Sequence, residues 1–332
     1  MTGFNHREVL SEEPTPVPDD RRPEPGEIAV LPVRDRERPE VQAVRDAGGV
    51  VAPLSEATRG LVYTSYSNVD ELVDALERYP DIGWVQLPFA GIDVYAERIA
   101  PYAERGVLFT SAKGAYAQPV AEHALMLTLA LQRNLPVRLR ADSWGRKFGR
   151  SLYGADVVIV GAGGIAKEYM RLLEPFGARI TVVRRRDGEV AGADQTVTTD
   201  RLDEILPDAD VVMLAAAATS ETRSLIDRDR LRAMKPNAVL VNIARGPLVD
   251  TDALVEALEA GEIYGAGLDV TDPEPLPEGH PLYSSERCII TPHSADTPEM
   301  TQPLIERRIR DNVRAFLETG AFVGVANPAE GY

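Results

Sequence analysis

Between residues 156 and 292 six short apolar runs, DVVIVG, RITVVR, DVVMLA, AVLVNI, GAGLDV and CIITP, are separated by stretches whose apolar residues recur at helical spacing. Runs of this length are the pattern of strands covered on both faces, and a crossover between parallel strands is usually a helix. The alternation restricts the segment to an α/β fold with a parallel sheet, and six strands suit a doubly wound arrangement. A shorter series precedes it: EIAVLPV, GLVYTS, IGWVQLP and GVLFTS alternate with helix-compatible stretches such as NVDELVDALERY. The fold class expected is therefore α/β, with two Rossmann-like domains, one a doubly wound parallel sheet and the other smaller and flavodoxin-like.

With 332 residues the chain is long enough for two domains that each bury a core. PVAEHALMLTLALQRN, residues 119 to 134, opens on a proline and is apolar around its circumference, as a buried helix joining two domains would be. The boundaries expected are 116–292 for the doubly wound domain and 27–115 plus 293–332 for the smaller one. In the latter, PEMTQPLIERRIRDNVRAFLETG reads as a helix closed by Gly320 and folding back. Residues 1–26 carry Pro14, Pro16, Pro18, Pro23 and Pro25 among charges and read as a disordered tail.

Composition narrows the partners. No apolar run reaches the roughly 18 residues that span a bilayer, and no secretory leader is visible at the N-terminus. Cys288 is the single cysteine, which leaves no intrachain disulfide and no cysteine-rich metal site and suits the cytoplasm. A formal net charge of −16 repels nucleic acid and anionic membranes, so neither is an expected partner.

DVVIVGAGGIAKEYM sets Gly161, Gly163 and Ala166 in a G-x-G-x-x-A pattern directly after a strand and at the start of a helix. The first glycine permits a tight turn, the second lets backbone approach a pyrophosphate, and Ala166 allows close helix packing. The doubly wound domain is thus expected to be the NAD(P)-binding one and the smaller to be the substrate domain. At the end of the next strand, where an NAD site would show Asp or Glu, stand Arg184, Arg185 and Arg186. Guanidinium groups there suit a 2′-phosphate, so NADP(H) is favoured with NAD(H) as the alternative. A solvated basic turn, paired with Asp187 or Glu189, is the competing explanation.

VLVNIARGPLVD, residues 239 to 250, begins as a buried strand and breaks at Ala244-Arg245-Gly246-Pro247, placing Arg245 where ligands of open α/β sheets bind. Four histidines are available as proton donors near neutral pH. His6 lies in the tail, His123 in the apolar linking helix as a satisfied core or capping residue, and His280 before a proline in a polar loop. His293 follows the strand CIITP, and Glu274 follows the strand in GLDV, so both share the sheet edge with Arg245.

VGAGGIA, NIARGPLVDTDAL, GLDVTDPEPL and TPHSAD, in this order, closely resemble the D-isomer-specific 2-hydroxyacid dehydrogenases, over residues 28 to 332. The resemblance implies that Arg245 holds the carboxylate and ketone of a small 2-keto acid, that His293 is the acid/base, and that Glu274 orients it. It also implies that Asp269 meets the nicotinamide carboxamide, that Gly164 and Ile165 touch the pyrophosphate, and that the backbone at Gly91 receives the substrate carboxylate. Ala244 is counted with the cofactor contacts, and a homodimer is expected through the nucleotide domain, with Leu125 and Leu129 near the contact. Keto-acid reduction needs a hydride, a proton for the developing alkoxide and a cation for the carboxylate, and a carboxylate beside His293 favours imidazolium.

Three departures qualify the match. Leu87-Pro88-Phe89 replaces an Arg-Ala-Gly frequent in the family, which argues against a phosphorylated substrate. Thr110 stands where Asn is frequent, and Ala217 replaces a proline beside the cofactor, which puts some backbone contacts in doubt. The reading is a glyoxylate- or hydroxypyruvate-type reductase. Its alternatives are a dinucleotide-sensing, corepressor-like binding module and a phosphoglycerate or formate dehydrogenase, the last typically pairing its histidine with Gln rather than Glu.

Overall fold

A computed structural model describes residues 13–33 and 38–330. The chain divides after Gln118 and again after Asp296 into two compact units. His293 to Asp296 fall in the second unit because the His293 amide bonds back to the main chain of Asp269.

The first unit takes the N-terminal residues and those after Asp296. Its short strand β1 (Thr15–Pro16) pairs antiparallel with Ala321–Phe322, while β2 (Glu27–Leu31), β3 (Thr58–Tyr63), β4 (Trp84–Gln86) and β5 (Leu108–Thr110) form a parallel sheet in that order. On the free edge of β2, Val51 bridges Ile28 in parallel. Counting that bridge as a vestigial strand gives the flavodoxin-type order, in which the second strand lies outside the first. Helix α1 (Pro39–Asp46) and the C-terminal helix Pro298–Arg314 cover one face, where Trp84 stacks on Phe316 at 5.1 Å. Helices α2 (Val69–Arg78) and α3 (Asp93–Glu104) cover the other around Leu72, Tyr95 and Ile99. Asn68 caps α2 by accepting from the Glu71 amide, which satisfies one of the unpaired first-turn donors.

The expected disordered tail is corrected for residues 13–26. Besides the β1 pairing, the Val17 amide bonds to the Gly320 carbonyl at 2.9 Å, Arg22 donates to the Glu318 carbonyl, and Pro23 is buried. Prolines at an edge strand and in extended links forfeit no ladder bond, so a proline-rich segment can be laid along an existing fold without a core of its own. Residues 1–12 lie outside the described residues.

The second unit begins within α4 (Ala117–Gln132), followed by α5 (Leu135–Leu139). Its strands are β6 (Asp156–Val160), β7 (Arg179–Arg184), β8 (Gln195–Thr198), β9 (Val211–Leu214), β10 (Val239–Asn242), β11 (Gly265–Leu268) and β12 (Cys288–Ile290). All seven are parallel in the order β8-β7-β6-β9-β10-β11-β12, so the winding reverses beside β6, where a doubly wound sheet binds its ligand. One strand exceeds the six read from the sequence. It is β8, a half-exposed edge strand of Gln and Thr that lacks the apolar run of a central strand. Leu127 and Leu131 of α4 lie against Gly265 and Gly267, where a Cβ at either glycine would come within about 3.1 Å of a leucine carbon. Among the described residues, no helix is long and apolar enough to cross a membrane.

Candidate active site

Helix α6 (Gly164–Leu173) follows β6 through the turn Gly161-Ala162-Gly163. Gly161 has φ +115°, and a Cβ there would stand 2.4 Å from the Ala215 carbonyl oxygen, so the turn at the reversal point tolerates no side chain. Gly163 is the residue before the helix, and a Cβ on it would meet nothing within 4 Å, which leaves its backbone open to an approaching anion. Gly164 and Ile165 supply first-turn amides of α6, at the positive end of its dipole, while Ala166 is fully buried beneath them. Arg184 ends β7, the neighbour of β6, paired with Thr198 of β8; Arg185 and Arg186 are exposed beyond it. These positions fit a dinucleotide: an open glycine and helix amides for a pyrophosphate, and guanidinium groups one strand away. The loop after β9 is turned by its own bonds, with Thr222 Oγ1 donating to the Ala217 carbonyl at 2.8 Å.

Arg245, Glu274 and His293 follow β10, β11 and β12, three consecutive strands, and so share one sheet edge. Asn242, buried at the end of β10, shapes the Arg245 loop. Its Oδ1 accepts from the Ala244 amide at 3.1 Å and its Nδ2 donates to the Arg245 carbonyl at 2.9 Å. Arg245 Nη1 in turn donates to the Ala244 carbonyl at 2.8 Å. At Gly246 a Cβ would lie 1.9 Å from the Thr271 carbonyl oxygen, and Thr251 Oγ1 donates to the Asp272 carbonyl at 2.6 Å. The loops bearing Arg245 and Glu274 are thereby in backbone contact.

His293 Nδ1 and Glu274 Oε1 are 2.6 Å apart, while Glu274 Oε2 accepts from the Thr271 amide at 3.4 Å. The two side chains are 50 % and 42 % exposed, and pairs so exposed contribute about 0–1 kcal/mol to folding. His293 also has φ +49°, a left-handed backbone that costs a non-glycine residue about 1–3 kcal/mol. A weak pair on a strained residue contributes little to stability. The His293 loop is held from Asp269, whose carbonyl accepts from the His293 amide at 2.8 Å. The buried Asp269 carboxylate accepts from Thr291 Oγ1 (2.6 Å), the Ser294 amide (2.9 Å) and the Ala295 amide (3.1 Å). Burial pushes the neighbouring Asp296 carboxyl up, an effect His293 opposes and Asp269 reinforces.

The family's D-isomer specific 2-hydroxyacid dehydrogenase NAD-binding domain model matches residues 124–295, more than half of the chain and the whole of this site. The chain belongs to the D-isomer specific 2-hydroxyacid dehydrogenase family. A glyoxylate reductase of Thermococcus gammatolerans is 33 % identical over 285 residues, covering 80 % of this chain and 79 % of its own. Among solved structures, a D-isomer specific 2-hydroxyacid dehydrogenase from Xanthobacter autotrophicus Py2, in complex with NADPH and MES, superposes with TM-score 0.79 at 25 % identity, covering 92 % of this chain and 99 % of its own. A glyoxylate reductase from Paecilomyes thermophila gives TM-score 0.74 at 27 % identity over 91 % of this chain and 98 % of its own. As a member of this family the chain is an oxidoreductase with a nicotinamide-dinucleotide-binding Rossmann domain.

The remaining candidates sort by position. Gly91 lies in the first unit, between β4 and α3. Its loop is fixed by the Ala112 amide donating to the Phe89 carbonyl (2.8 Å) and Tyr116 Oη donating to the Pro88 carbonyl (2.7 Å). Thr110 accepts from Trp84 Nε1 at 2.9 Å and lies 2.9 Å from Gln86 Oε1, so the residue that departs from the family pattern is embedded in a buried polar network. His280 caps the short helix Pro281–Ser284, its Nδ1 accepting from the Leu282 amide, and His6 is outside the described residues. Burial pushes the Cys288 thiol up to about 12, which leaves it inert. Asn242, Gly246 and Thr291 went unread in the sequence because each acts on a residue of another loop or on its own backbone, and neither periodicity nor spacing reports such contacts.

Proposed function

We propose that this chain reduces small, unphosphorylated 2-keto acids of the glyoxylate or hydroxypyruvate type to D-2-hydroxy acids, with NADPH preferred over NADH. The observation that carries the reading is the 2.6 Å pairing of His293 Nδ1 with Glu274 on the sheet edge that also bears Arg245. With Nδ1 engaged, Nε2 is the atom left to deliver a proton to the developing alkoxide. Arg245 presents a planar fork that orients a carboxylate and ketone, which a lysine would not reproduce. Bound, the nicotinamide supplies the hydride. Gly163, Gly164 and Ile165 would hold its pyrophosphate, Arg184 and Arg185 its 2′-phosphate, and Ala244 would line its site. Asp269, which follows β11 between the strand ends that bear Arg245 and His293, would meet the carboxamide. Leu87-Pro88-Phe89 in place of an arginine-bearing loop favours a substrate without phosphate.

The assembly belonging to this reading is a homodimer through the second unit. Leu139, Trp144, Phe148 and Tyr153 lie within fifteen residues of one another, and Trp144 is 92 % exposed. Exposed large apolar side chains in one stretch of the second unit support this reading.

A panel of glyoxylate, hydroxypyruvate, pyruvate and phosphohydroxypyruvate, each with NADPH and NADH, tests the reading. Turnover of the first two with NADPH is expected, and His293→Gln should lower kcat by about 10²- to 10⁴-fold while NADPH still binds. A preference for the phosphorylated acid, or a His293→Gln enzyme within a few-fold of wild type, overturns it.

A further inference from the structure

His123, on α4, is half-buried, and its imidazole reaches the loop that carries His293. Its Nε2 stands 2.9 Å from Thr291 Oγ1, and Thr291 Oγ1 stands 2.6 Å from Asp269 Oδ1. A hydroxyl has one proton to give, and an ionised carboxylate can only accept. The Thr291 proton therefore points to Asp269, and His123 Nε2 must itself carry a hydrogen and donate it to the Thr291 oxygen. The direction of the chain is fixed: His123 to Thr291 to Asp269.

The far end of that chain is the catalytic loop. Asp269 accepts from the Ser294 and Ala295 amides through its carboxylate and from the His293 amide through its carbonyl. These bonds enclose His293, the one residue of the loop with a left-handed backbone, and its imidazole must point so that Nδ1 meets Glu274. Thr291 accepts and donates in sequence, and bonds in such a chain polarise one another, so removing the His123 donor weakens the Thr291 bond that holds the Asp269 carboxylate in place beneath the Ser294 and Ala295 amides. The charged groups facing this cluster are Asp269 itself, 3.5 Å from His123 Nε2, and Asp296, which faces both His293 and Asp269.

We propose that His123 is a positioning residue for the acid/base step, bracing the His293 loop from α4 through the Thr291 hydroxyl and the Asp269 carboxylate. Burial lowers the His123 imidazole's proton affinity, with Asp269 opposing. The neutral Nε2–H tautomer is sufficient for the brace, which needs a donor and not a charge. The inference rests on the reading that His293 delivers the proton. A buried histidine merely satisfied in the interior would affect stability and leave the geometry at His293 unchanged.

The full chain is compared as wild type, His123→Leu, His123→Gln, Thr291→Val and Thr291→Ser. Leucine removes the donor and glutamine keeps one; valine removes the hydroxyl and serine keeps it. Glyoxylate kinetics with saturating NADPH, NADPH affinity by fluorescence titration and Tm are measured on each. The low-field proton resonance of the His293 Nδ1–Glu274 bond, identified by its loss in His293→Gln, is followed in the enzyme free of ligand. His123→Leu and Thr291→Val should each lower kcat about ten-fold, with KM and NADPH affinity within two-fold, and shift the low-field resonance. His123→Gln and Thr291→Ser should restore both, and the His123→Leu/Thr291→Val double variant should be no worse than either single one. A kcat for His123→Leu within two-fold of wild type, an unmoved resonance, or equal impairment by leucine and glutamine overturns the proposal. Should His123→Leu not fold, the Thr291→Val and Thr291→Ser pair decides on the same readouts. Absence of keto-acid turnover in the wild type, or survival of turnover in His293→Gln, defeats the underlying reading instead, and the resonance still reports on the brace.

Discussion

Two glycine-to-alanine substitutions, one on each part of the site, should fail in opposite ways. At Gly246 the added methyl carbon would stand 1.9 Å from the Thr271 carbonyl oxygen and 2.7 Å from the Asp272 amide nitrogen. Both obstacles are backbone, so no side chain can rotate away. Ordinary van der Waals separation is about 3.5 Å, and the Arg245 and Glu274 loops must part by roughly 1.6 Å. A displacement near 1 Å at a reacting geometry costs about 10²-fold, so Gly246→Ala should lose that much in kcat/KM for the keto acid, with about 1–3 kcal/mol of stability lost to overpacking. Dinucleotide affinity should hold within a few-fold, because Gly161 to Ile165 lie across β9 on another strand end. At Gly163 the methyl group meets no protein atom within 4 Å and the backbone is extended, so Gly163→Ala should leave Tm unchanged. It should instead obstruct a pyrophosphate. Losing one hydrogen bond to a charged group costs about 1.5–3 kcal/mol, at least ten-fold in NADPH Kd. Stopped-flow kinetics, fluorescence titration and calorimetry on the two variants provide the comparison. A Gly246→Ala enzyme within five-fold of wild-type kcat/KM would refute the claim that this backbone contact sets the site, and unchanged NADPH affinity in Gly163→Ala would remove the pyrophosphate from that turn.

Arg184→Asp should move preference from NADPH toward NADH by about ten-fold or more in kcat/KM, since a bidentate contact to a phosphate is replaced by a like charge; an unchanged ratio would return Arg184 to a solvated turn. Glu274→Gln keeps a hydrogen-bonding partner at His293 and replaces the carboxylate that meets Nδ1, so reductive kcat/KM should fall by about ten-fold or more while NADPH affinity holds within a few-fold; unchanged turnover would contradict the pairing's role. Light scattering at micromolar protein should give a dimer mass, lowered by Trp144→Arg, and a monomeric wild type would reject the proposed assembly.

Much of the fold was legible because buried parallel strands declare themselves as apolar runs. β6, β7 and β9 to β12 were all read, and the edge strand β8 was missed for its Gln and Thr residues. The N-terminal segment misled for a related reason. Residues 13–26 lack the apolar surface to fold alone, yet β1 needs only a strand partner in Ala321–Phe322, some three hundred residues away.

At the site the same division holds between residues whose chemistry is local and residues whose effect is relayed. Gly161, Arg245, Glu274 and His293 stand at strand ends, where topology alone aims them at the ligand-binding edge. What the sequence could not express is the backbone setting of His293. A left-handed histidine is unfavourable by itself, and it persists only because surrounding bonds determine it from several sides. Those bonds come from Asp269 on the neighbouring strand and, through Thr291, from His123 on a helix 168 residues earlier in the chain than Thr291. Helical periodicity makes His123 look like one more buried position, because periodicity records which face a residue occupies and not the donor it must satisfy there. The proposed acid/base His293 was therefore readable from its motif, while the bonds around its loop became visible only when α4, β11 and the loop after β12 were brought into contact.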